Sequence, residues 1–576
     1  MSSPVAGKHS QRMSKSLARV IFGGTLIFFG VFFFWPILQI LKGGFIDADG
    51  QLTFAYLRAL LADPIYLGGL GNSILLAATT TLIALLLALP LALVADRYRF
   101  PGKVLLGSLV LVPMILPPFV GAIGIKQILG QYGALNSLLI ELGLRPHGWT
   151  FDWLGTNQFL GIALVNGFSL YPIIYLNAVA ALANIDPAME EAAENLGCVG
   201  WRRFCKITLP LIKSGLFAGA TIVFIWAFTD LGVPLIFDYG RVTSVQIFYG
   251  LKDIGGNPFP YALVAVMLVS SVLFYALGKG LFGRDSYAMM AKATSAGGAR
   301  ALTPGRAWLC TAFFALVTFV AILPHLGVVL VAFSSDWYGT VLPTHFTADN
   351  FKIALGHDLT VPAIANSLKY ASISTVIDLV LGVALAYVIV RSKLAGRQVL
   401  DFLAMLPLAV PGLVLAFGYL AMSQEGKFWS FLNPVQNPTV LLIIAYSVRR
   451  LPYVVRSAAA GFQQTSETLE EAAQNLGCPP LKATIKITLP LIAANLIAGG
   501  LLAFAFAMLE VSDSLVLAQK QLYYPITKAI YELFQLLGDG KFVASALGVG
   551  AMAFLGITIV GMSVLLGKKL GAIFRV

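Results

Sequence analysis

Long runs of uncharged residues are the feature that most constrains how this chain folds. Nine such runs contain no Asp, Glu, Lys or Arg. A helix of about 20 apolar residues crosses a bilayer core. Only 11% of the chain is charged, against about a quarter of a typical soluble domain. We therefore predict an all-α integral membrane protein, with membrane segments at 20–41, 64–95, 104–125, 153–185, 254–278, 307–335, 402–424, 487–509 and 542–567.

Three further apolar segments raise the predicted number of membrane helices to about twelve, although charge interrupts each of them. An even number of crossings leaves both termini on one side. The basic N-terminal tail places that side in the cytoplasm of an inner (plasma) membrane, because Lys and Arg concentrate on cytoplasmic segments. The three segments are 214–237 with Asp230, 369–390 with Asp378, and 438–462 with Arg449, Arg450 and Arg456.

The net charge of +12 has the same origin. Most of the 39 Lys and Arg residues fall in tails and loops that this topology assigns to the cytoplasm. The basic excess therefore requires no nucleic-acid partner, and we expect membrane lipid around the chain instead.

The chain contains an internal repeat. The sequence EEAAENLGCVGWRRFCKITLPLI at 190–212 recurs as EEAAQNLGCPPLKATIKITLPLI at 470–492. Repeated halves are common in transporters, and six helices in each half give both the same orientation. We predict two parallel six-helix repeats, 1–285 and 307–576, joined by a cytoplasmic linker at 286–306.

The repeated loop, at about 186–212 and 466–492, is predicted to form two short cytoplasmic helices hinged at Gly197 and Gly477. The Asn-Leu-Gly sequence at each hinge favours a helix C-cap. An amphipathic elbow lying in the lipid headgroups would have the same shape. Because the loop occurs once in each half, we favour docking elements for two identical partner subunits.

This loop resembles the EAA loop of permeases in type I binding-protein-dependent ABC importers. Glu-Ala-Ala is followed by Gly197 and by Ile-x-Leu-Pro at 207–210, and the second copy repeats the pattern around Gly477 and at 487–490. The fusion of two permease domains resembles the ferric-iron branch of that family. Further features of that branch are TDLGVP at 229–234, YSVR at 446–449, IFY at 247–249 and IY at 530–531. The second half departs from the first, with LEVS at 509–512.

The resemblance implies a translocation subunit that passes solute from a periplasmic or lipid-anchored binding protein to the cytoplasm. Ferric iron is the favoured cargo, and a phosphonate or another small anion is the alternative. The resemblance also implies two copies of a cytosolic ATPase, which binds ATP and Mg. This chain has no GxxxxGK[ST] phosphate loop, so we expect a non-enzymatic pore subunit without a cofactor of its own.

The residues that the resemblance assigns to ATPase coupling lie before and at each hinge. They are Glu190, Glu191, Ala192, Ala193 and Gly197, and Glu470, Glu471, Ala472, Ala473 and Gly477. An ion-coupled secondary transporter is a different class that also uses twelve helices and buried charge. A membrane enzyme would need a cluster of catalytic residues, which the sequence does not show.

Ionisable side chains at membrane depth cost at least about 2.5 kcal/mol each, so they are candidates for the translocation pathway. Arg449 and Arg450 occur in the second half alone. They are interpreted as a positive lining for an anionic solute, as a gate held by a carboxylate, or as an ion pair with Asp378 that locks the halves together. Asp230 and Glu510 occupy equivalent positions of the two repeats. They would offer oxygen ligands to a hard cation near the outer mouth, or they would cap helix ends; no metal site is assigned.

Prolines fall at matching positions within two of the predicted membrane helices. Proline removes a backbone hydrogen bond and bends a helix, so these positions are candidates for gates or kinks. Packing is the alternative explanation, because proline is common in membrane helices. The four residues are Pro113 and Pro117 in the third helix and Pro407 and Pro411 in the ninth.

Overall fold

The computed structural model describes residues 15–47, 49–114, 117–155, 158–282, 300–392 and 394–566. The helices of the first half are Lys15–Phe29, Gly30–Phe34, Trp35–Phe45, Ala55–Ala62, Pro64–Arg97, Lys103–Leu109, Val112–Met114, Pro118–Leu129, Ala134–Glu141, Phe159–Leu182, Pro187–Asn195, Gly200–Arg203, Phe204–Thr208, Leu209–Phe228, Gly232–Ile236, Thr243–Gly250, Leu251–Asp253 and Phe259–Phe282.

The helices of the second half are Pro304–Ala332, Asp349–Gly356, Thr360–Arg391, Arg397–Met405, Leu406–Leu408, Gly412–Met422, Ser430–Leu432, Thr439–Gln464, Thr468–Asn475, Pro480–Ala483, Thr484–Thr488, Leu489–Leu491, Ala493–Met508, Ser512–Leu517, Gln521–Tyr523, Ile526–Phe534 and Gly540–Leu566. Short strands pair Tyr98–Arg99 with Arg300–Ala301 in parallel and Ser334–Asp336 with His345–Phe346 in antiparallel orientation.

The helices confirm an all-α membrane protein. Within the described residues, eight helices are long and apolar enough to cross a bilayer, and three bent helix pairs raise the number to as many as eleven. The helix Thr439–Gln464 carries three arginines, and it coincides with the remaining predicted segment. The twelve segments predicted from the sequence thus each correspond to a helix or a broken helix.

The third and ninth membrane segments change direction at the predicted prolines, and the change is so sharp that the helix is interrupted there. Pro407 lies in the 3₁₀ turn Leu406–Leu408, and Pro411 immediately precedes the helix Gly412–Met422, which turns by 98° from the helix before it. Two prolines four residues apart remove too many backbone hydrogen bonds for one helix to continue. In the first half Pro113 lies in the turn Val112–Met114 and Pro117 precedes Pro118–Leu129; residues 115 and 116 lie outside the described part.

The first membrane helix of each half packs against a helix of the other half. The helix Trp35–Phe45 packs against Gly412–Met422, and Pro304–Ala332 packs against Pro118–Leu129. Tyr419 accordingly donates a hydrogen bond to the Phe32 carbonyl at 2.7 Å. One apolar cluster therefore contains buried residues of both halves, which repeat positions alone do not predict.

The predicted linker at 286–306 lies mostly outside the described residues, as does most of the basic N-terminal tail. The structure does describe its last residues, since Arg300–Ala301 pairs with Tyr98–Arg99 at the end of the second membrane helix. The helix Pro304–Ala332 begins directly afterwards. The boundaries of the two repeats stay a prediction.

Candidate functional site

Both EAA loops have a sharp hinge at the predicted glycine. In the first loop the helix Pro187–Asn195 stops just before Gly197, whose φ is +75°. The Gly197 amide donates to the Glu194 carbonyl at 2.9 Å, and the next amide donates to the carbonyl of residue 193 at 2.8 Å. The second loop repeats both bonds at Gly477, with φ +88° and lengths of 2.9 and 3.0 Å. These are the two bonds of a Schellman C-cap, which favours glycine because its φ is positive.

The first glutamate of each EAA motif points inward and holds its loop in place. The Glu190 carboxylate accepts hydrogen bonds from Arg97 Nη2 and Thr208 Oγ1, both at 2.7 Å. Arg97 ends the second membrane helix, and Thr208 lies where the loop enters the fifth. One carboxylate thus joins the loop to two membrane helices.

The second loop makes the same connection with different partners. The Glu470 carboxylate accepts hydrogen bonds from Thr488 Oγ1 and from the Tyr387 hydroxyl, the latter at 3.1 Å. Arg391 ends the helix equivalent to that of Arg97, and it instead donates to the Thr465 carbonyl at 2.6 Å. Both loops are therefore bound to the C-terminal end of the second membrane helix of their half.

The other predicted coupling residues divide into exposed and buried positions. Glu191, Ala192 and Ala472 are exposed, as are both hinge glycines, while Glu471 and Ala473 are half-buried. Ala193 is buried. The structure thus separates the residues available to a partner from those that hold the loop.

A cavity of about 180 Å³ lies between the two halves. Its wall includes a polar patch from the first half, formed by Asn166, Ser169, Thr229 and Asp230. Asp378, Pro407 and Pro411 are absent from the wall, although Gly412 contributes to it. The predicted pathway and gate residues that the structure brings together there are Pro113, Pro117, Asp230, Arg449, Arg450 and Glu510.

The two arginines of the cavity wall form a cluster with two carboxylates. Arg449 Nη1 lies 2.6 Å from Glu510 Oε1 and 3.2 Å from Asp513 Oδ2. Arg450 Nη2 bonds the other oxygen of Glu510 and donates to the Phe506 carbonyl at 3.1 Å. Two positive and two negative groups balance, so the arginines do not give the cavity a net positive lining.

The suggested ion pair between the arginines and Asp378 is wrong. Asp378 is fully buried and accepts a hydrogen bond from Ser447 Oγ at 2.6 Å. The arginines instead pair with carboxylates at the chain break after the eleventh membrane helix. The sequence could not decide between these partners, because the helix of Asp378 and the helix Ser512–Leu517 both pack against the helix of the arginines.

Asp230 and Glu510 line the same cavity but have different environments. Asp230 accepts hydrogen bonds from Asn166 Nδ2 at 3.0 Å and from the Gly232 amide at 3.1 Å. The second bond joins Asp230 to the first residue of the short helix Gly232–Ile236, whose N-cap residue is Leu231. Glu510 is paired with arginines, so the two carboxylates do not form a free pair of metal ligands. Within the described residues, no group of three or more His, Cys, Asp or Glu side chains is placed to hold a metal.

Two residues of the site were missed from the sequence. Asp513 is fully buried and lies three residues after Glu510, a spacing that would have suggested a second carboxylate on the same face. Asn166 lies at the position equivalent to Tyr446 of the second half. Because the two halves do not share an asparagine there, the repeat did not mark this position as part of the site.

The fold and the site define a class: a multi-pass helical membrane protein with two related halves, a polar cavity between them and two matching hinged loops. This is the architecture of a transport permease. The chain belongs to the family described as binding-protein-dependent transport system inner membrane component, which matches residues 88–285 and 378–570.

Several named relatives are similar to this chain. A putative ferric transport system permease protein of Haemophilus influenzae is 27% identical over 517 residues, covering 84% of this chain and 75% of that protein. The ferric transport system permease protein of Actinobacillus pleuropneumoniae is 27% identical over 520 residues, covering 84% of this chain and 69% of that protein. The sulfate transport system permease protein of Escherichia coli is 28% identical over 229 residues, covering 39% of this chain and 79% of that protein.

Proposed function

We propose that this chain is the membrane pore of an ATP-driven importer whose cargo is ferric iron, delivered by a binding protein outside the membrane. The observation that carries the proposal is the matching hinge geometry of the two EAA loops. A pore without a motor of its own needs matching contacts for two ATPase subunits. The ATPase, with its ATP and Mg, and the binding protein are proposed partners.

The tips of the loops support docking to a protein partner. Leu196 is 87% exposed and Leu476, at the equivalent position, is 90% exposed. Trp201 and Leu481, also equivalent, are exposed in the same loops. Several large exposed apolar side chains in one loop are typical of an interaction site. Equal exposure in both loops fits two copies of the same partner.

The inward glutamates provide the mechanical connection. A force on the first loop is transmitted through Glu190 to Arg97 of the second membrane helix and to Thr208 of the fifth. The second loop acts through Glu470 on the corresponding helices. Closing of two ATPase subunits would thereby move the fifth and eleventh membrane helices, which contribute Trp226 and Phe506 to the cavity wall.

The charge of the cavity supports a cationic cargo over a phosphonate or another anion. The Arg449 and Arg450 guanidinium groups are neutralised by Glu510 and Asp513. Asp230 has amide partners and no ion pair in the described structure, so it leaves the cavity with a negative excess. The names of the two ferric relatives point to the same cargo.

The proposed topology places both termini and both EAA loops in the cytoplasm. Twelve crossings would return the chain to its starting side, and each loop lies between the fourth and fifth segments of its half. The basic residues around the loops fit that side under the positive-inside rule.

Reconstitution tests the proposal. The purified chain in proteoliposomes, with its ATPase inside and binding protein outside, should import iron only when ATP is present. The double variant Gly197→Pro with Gly477→Pro should insert normally but lose transport-linked ATPase activity, because proline cannot adopt the positive φ of the hinges. Uptake by the chain alone under a proton or sodium gradient would instead identify an ion-coupled carrier.

A further inference from the structure

The side chain of Arg449 contacts two separate chain breaks of the second half. One break, at 409–411, precedes the helix Gly412–Met422, and the other, at 509–511, precedes Ser512–Leu517. The guanidinium of Arg449 bonds Glu510 at 2.6 Å and Asp513 at 3.2 Å, at the second break. At the first break it lies directly against Gly412, where an added Cβ would be 2.1 Å from Nη1.

Gly412 makes this contact possible. Any larger residue would occupy the space of the guanidinium, since the Cβ would also lie 2.3 Å from Arg449 Cζ. Arg450 holds the acceptor in place, because it bonds the second oxygen of Glu510 and the Phe506 carbonyl. Glu510 is therefore held in place independently of Arg449. The planar guanidinium of Arg449 can contact both the Glu510 carboxylate and Gly412.

The first half lacks this arrangement. The positions equivalent to Arg449 and Asp513 are Ser169 and Val233, and the position equivalent to Gly412 is Pro118. The carboxylate equivalent to Glu510 is Asp230, which bonds Asn166. Among the described residues, an arginine side chain thus contacts both breaks in the second half, and none does so in the first.

We propose that Arg449 is a latch that holds the two breaks of the second half together and keeps the cavity closed, so that opening begins on that side. The inference rests on the proposed function, since only a translocation path needs the cavity to open. Arg449 acts by positioning the chain breaks. Release of its contacts with Glu510 and Gly412 separates the breaks while Arg450 retains Glu510.

The test measures access of water-soluble reagent to the cavity. Thr229, in the cavity wall, is replaced by Cys in the full chain, with the four native cysteines replaced by Ser. Gly412→Ala displaces the Arg449 guanidinium without removing any charged residue. Arg449→Lys keeps the positive charge but replaces the planar guanidinium with an ammonium group. Both should raise the rate of maleimide labelling at position 229 by about tenfold, as a shift toward the open state requires. Gly556→Ala, where the added methyl meets no atom within 4 Å, is the matched control and should leave the rate unchanged.

Two outcomes overturn the latch: unchanged labelling in both variants, or faster labelling in Arg449→Lys alone, which would show that the Gly412 contact has no part in closure. Thermal unfolding of Gly412→Ala checks that the protein remains folded once the guanidinium has been displaced. Labelling requires neither ATP nor cargo. A failure of ATP-driven uptake would therefore contradict the proposed function without deciding the latch, and the labelling result decides the latch by itself.

Discussion

Gly124 and Gly418 occupy equivalent positions of the two halves, and each lies against a proline of the first membrane helix of the opposite half. An added Cβ on Gly124 would be 2.2 Å from the Pro324 carbonyl oxygen, and one on Gly418 would be 2.8 Å from Pro36 Cβ. Small residues allow membrane helices to approach closely. The exchange of first helices between the halves therefore depends on two matching glycines.

Alanine at these two glycines should destabilise the protein unequally. Gly124→Ala meets backbone atoms at 2.2 and 2.6 Å and should cost about 1–3 kcal/mol of unfolding free energy, whereas Gly418→Ala, with its nearest atom at 2.8 Å, should cost less. The check is the thermal unfolding midpoint in detergent. Gly71→Ala, with no atom within 4 Å, serves as control and should be neutral or slightly stabilising. Equal midpoints for Gly124→Ala and Gly71→Ala would contradict the close contact.

Charge at the tips of the EAA loops should weaken the ATPase contact. Leu196→Asp and Leu476→Asp each place a carboxylate at an exposed apolar position of an EAA loop, and each should reduce ATPase affinity about 30-fold, because loss of an interface hot spot costs about 2 kcal/mol or more. Co-purification and titration of the ATPase onto the chain measure this. Leu537→Asp is the control, because Leu537 is 99% exposed in a different loop. Docking at the EAA loops is wrong if all three variants retain the ATPase equally.

The inward glutamates should transmit motion and not contribute to docking. Glu190→Gln removes the ion pair with Arg97 and should uncouple ATP hydrolysis from uptake while ATPase affinity stays within about twofold, since the exposed tip is unchanged. A double-mutant cycle with Arg97→Gln should give an interaction energy of about 0.5–3 kcal/mol in the coupling readout. Additive effects of the two substitutions would show that the pair carries no coupling.

Much of this structure was predictable from the sequence. The features that were not predictable depend on contacts between distant segments. Runs without charge located nine of the membrane segments, and the repeated loop located both hinges, because local sequence determines helix length and C-caps. The partner of Arg449 and the exchange of first helices depend on packing between distant segments. The repeat relates positions of one half to positions of the other and contains no information on how the halves contact each other.

The proline positions show the same limit on a smaller scale. Proline predicts the loss of a hydrogen bond at each site, and the sequence indicated a bend at Pro407 and Pro411. The observed change of direction at this break is 98°. At the same break the guanidinium of Arg449 lies against Gly412, a contact between residues of two different membrane segments that no local pattern predicts.

Removal of the Asp230 carboxylate, which has no ion-pair partner in the described structure, should reduce the uptake of cationic cargo. Asp230→Asn keeps the size of the side chain and its place beside Asn166, but it removes the negative excess that the neutralised arginines leave in the cavity. A single charge at membrane depth is worth a few kcal/mol, so ATP-driven uptake of ferric iron should fall about tenfold or more. Uptake of radioactive iron by proteoliposomes containing ATPase and binding protein is the measurement.

The conservative substitution Ser169→Ala in the same cavity wall is the matched control for Asp230→Asn, since it alters polarity without altering charge. Its iron uptake should remain within about twofold of the unmodified chain, because a neutral hydroxyl contributes much less than a charge to the field at the cavity. If Asp230→Asn instead imported iron at the normal rate, and increased the uptake of sulfate or a phosphonate, the cavity would be built for an anion. The arginine cluster would then have to open toward the solute, with Glu510 moving away from Arg449 during transport.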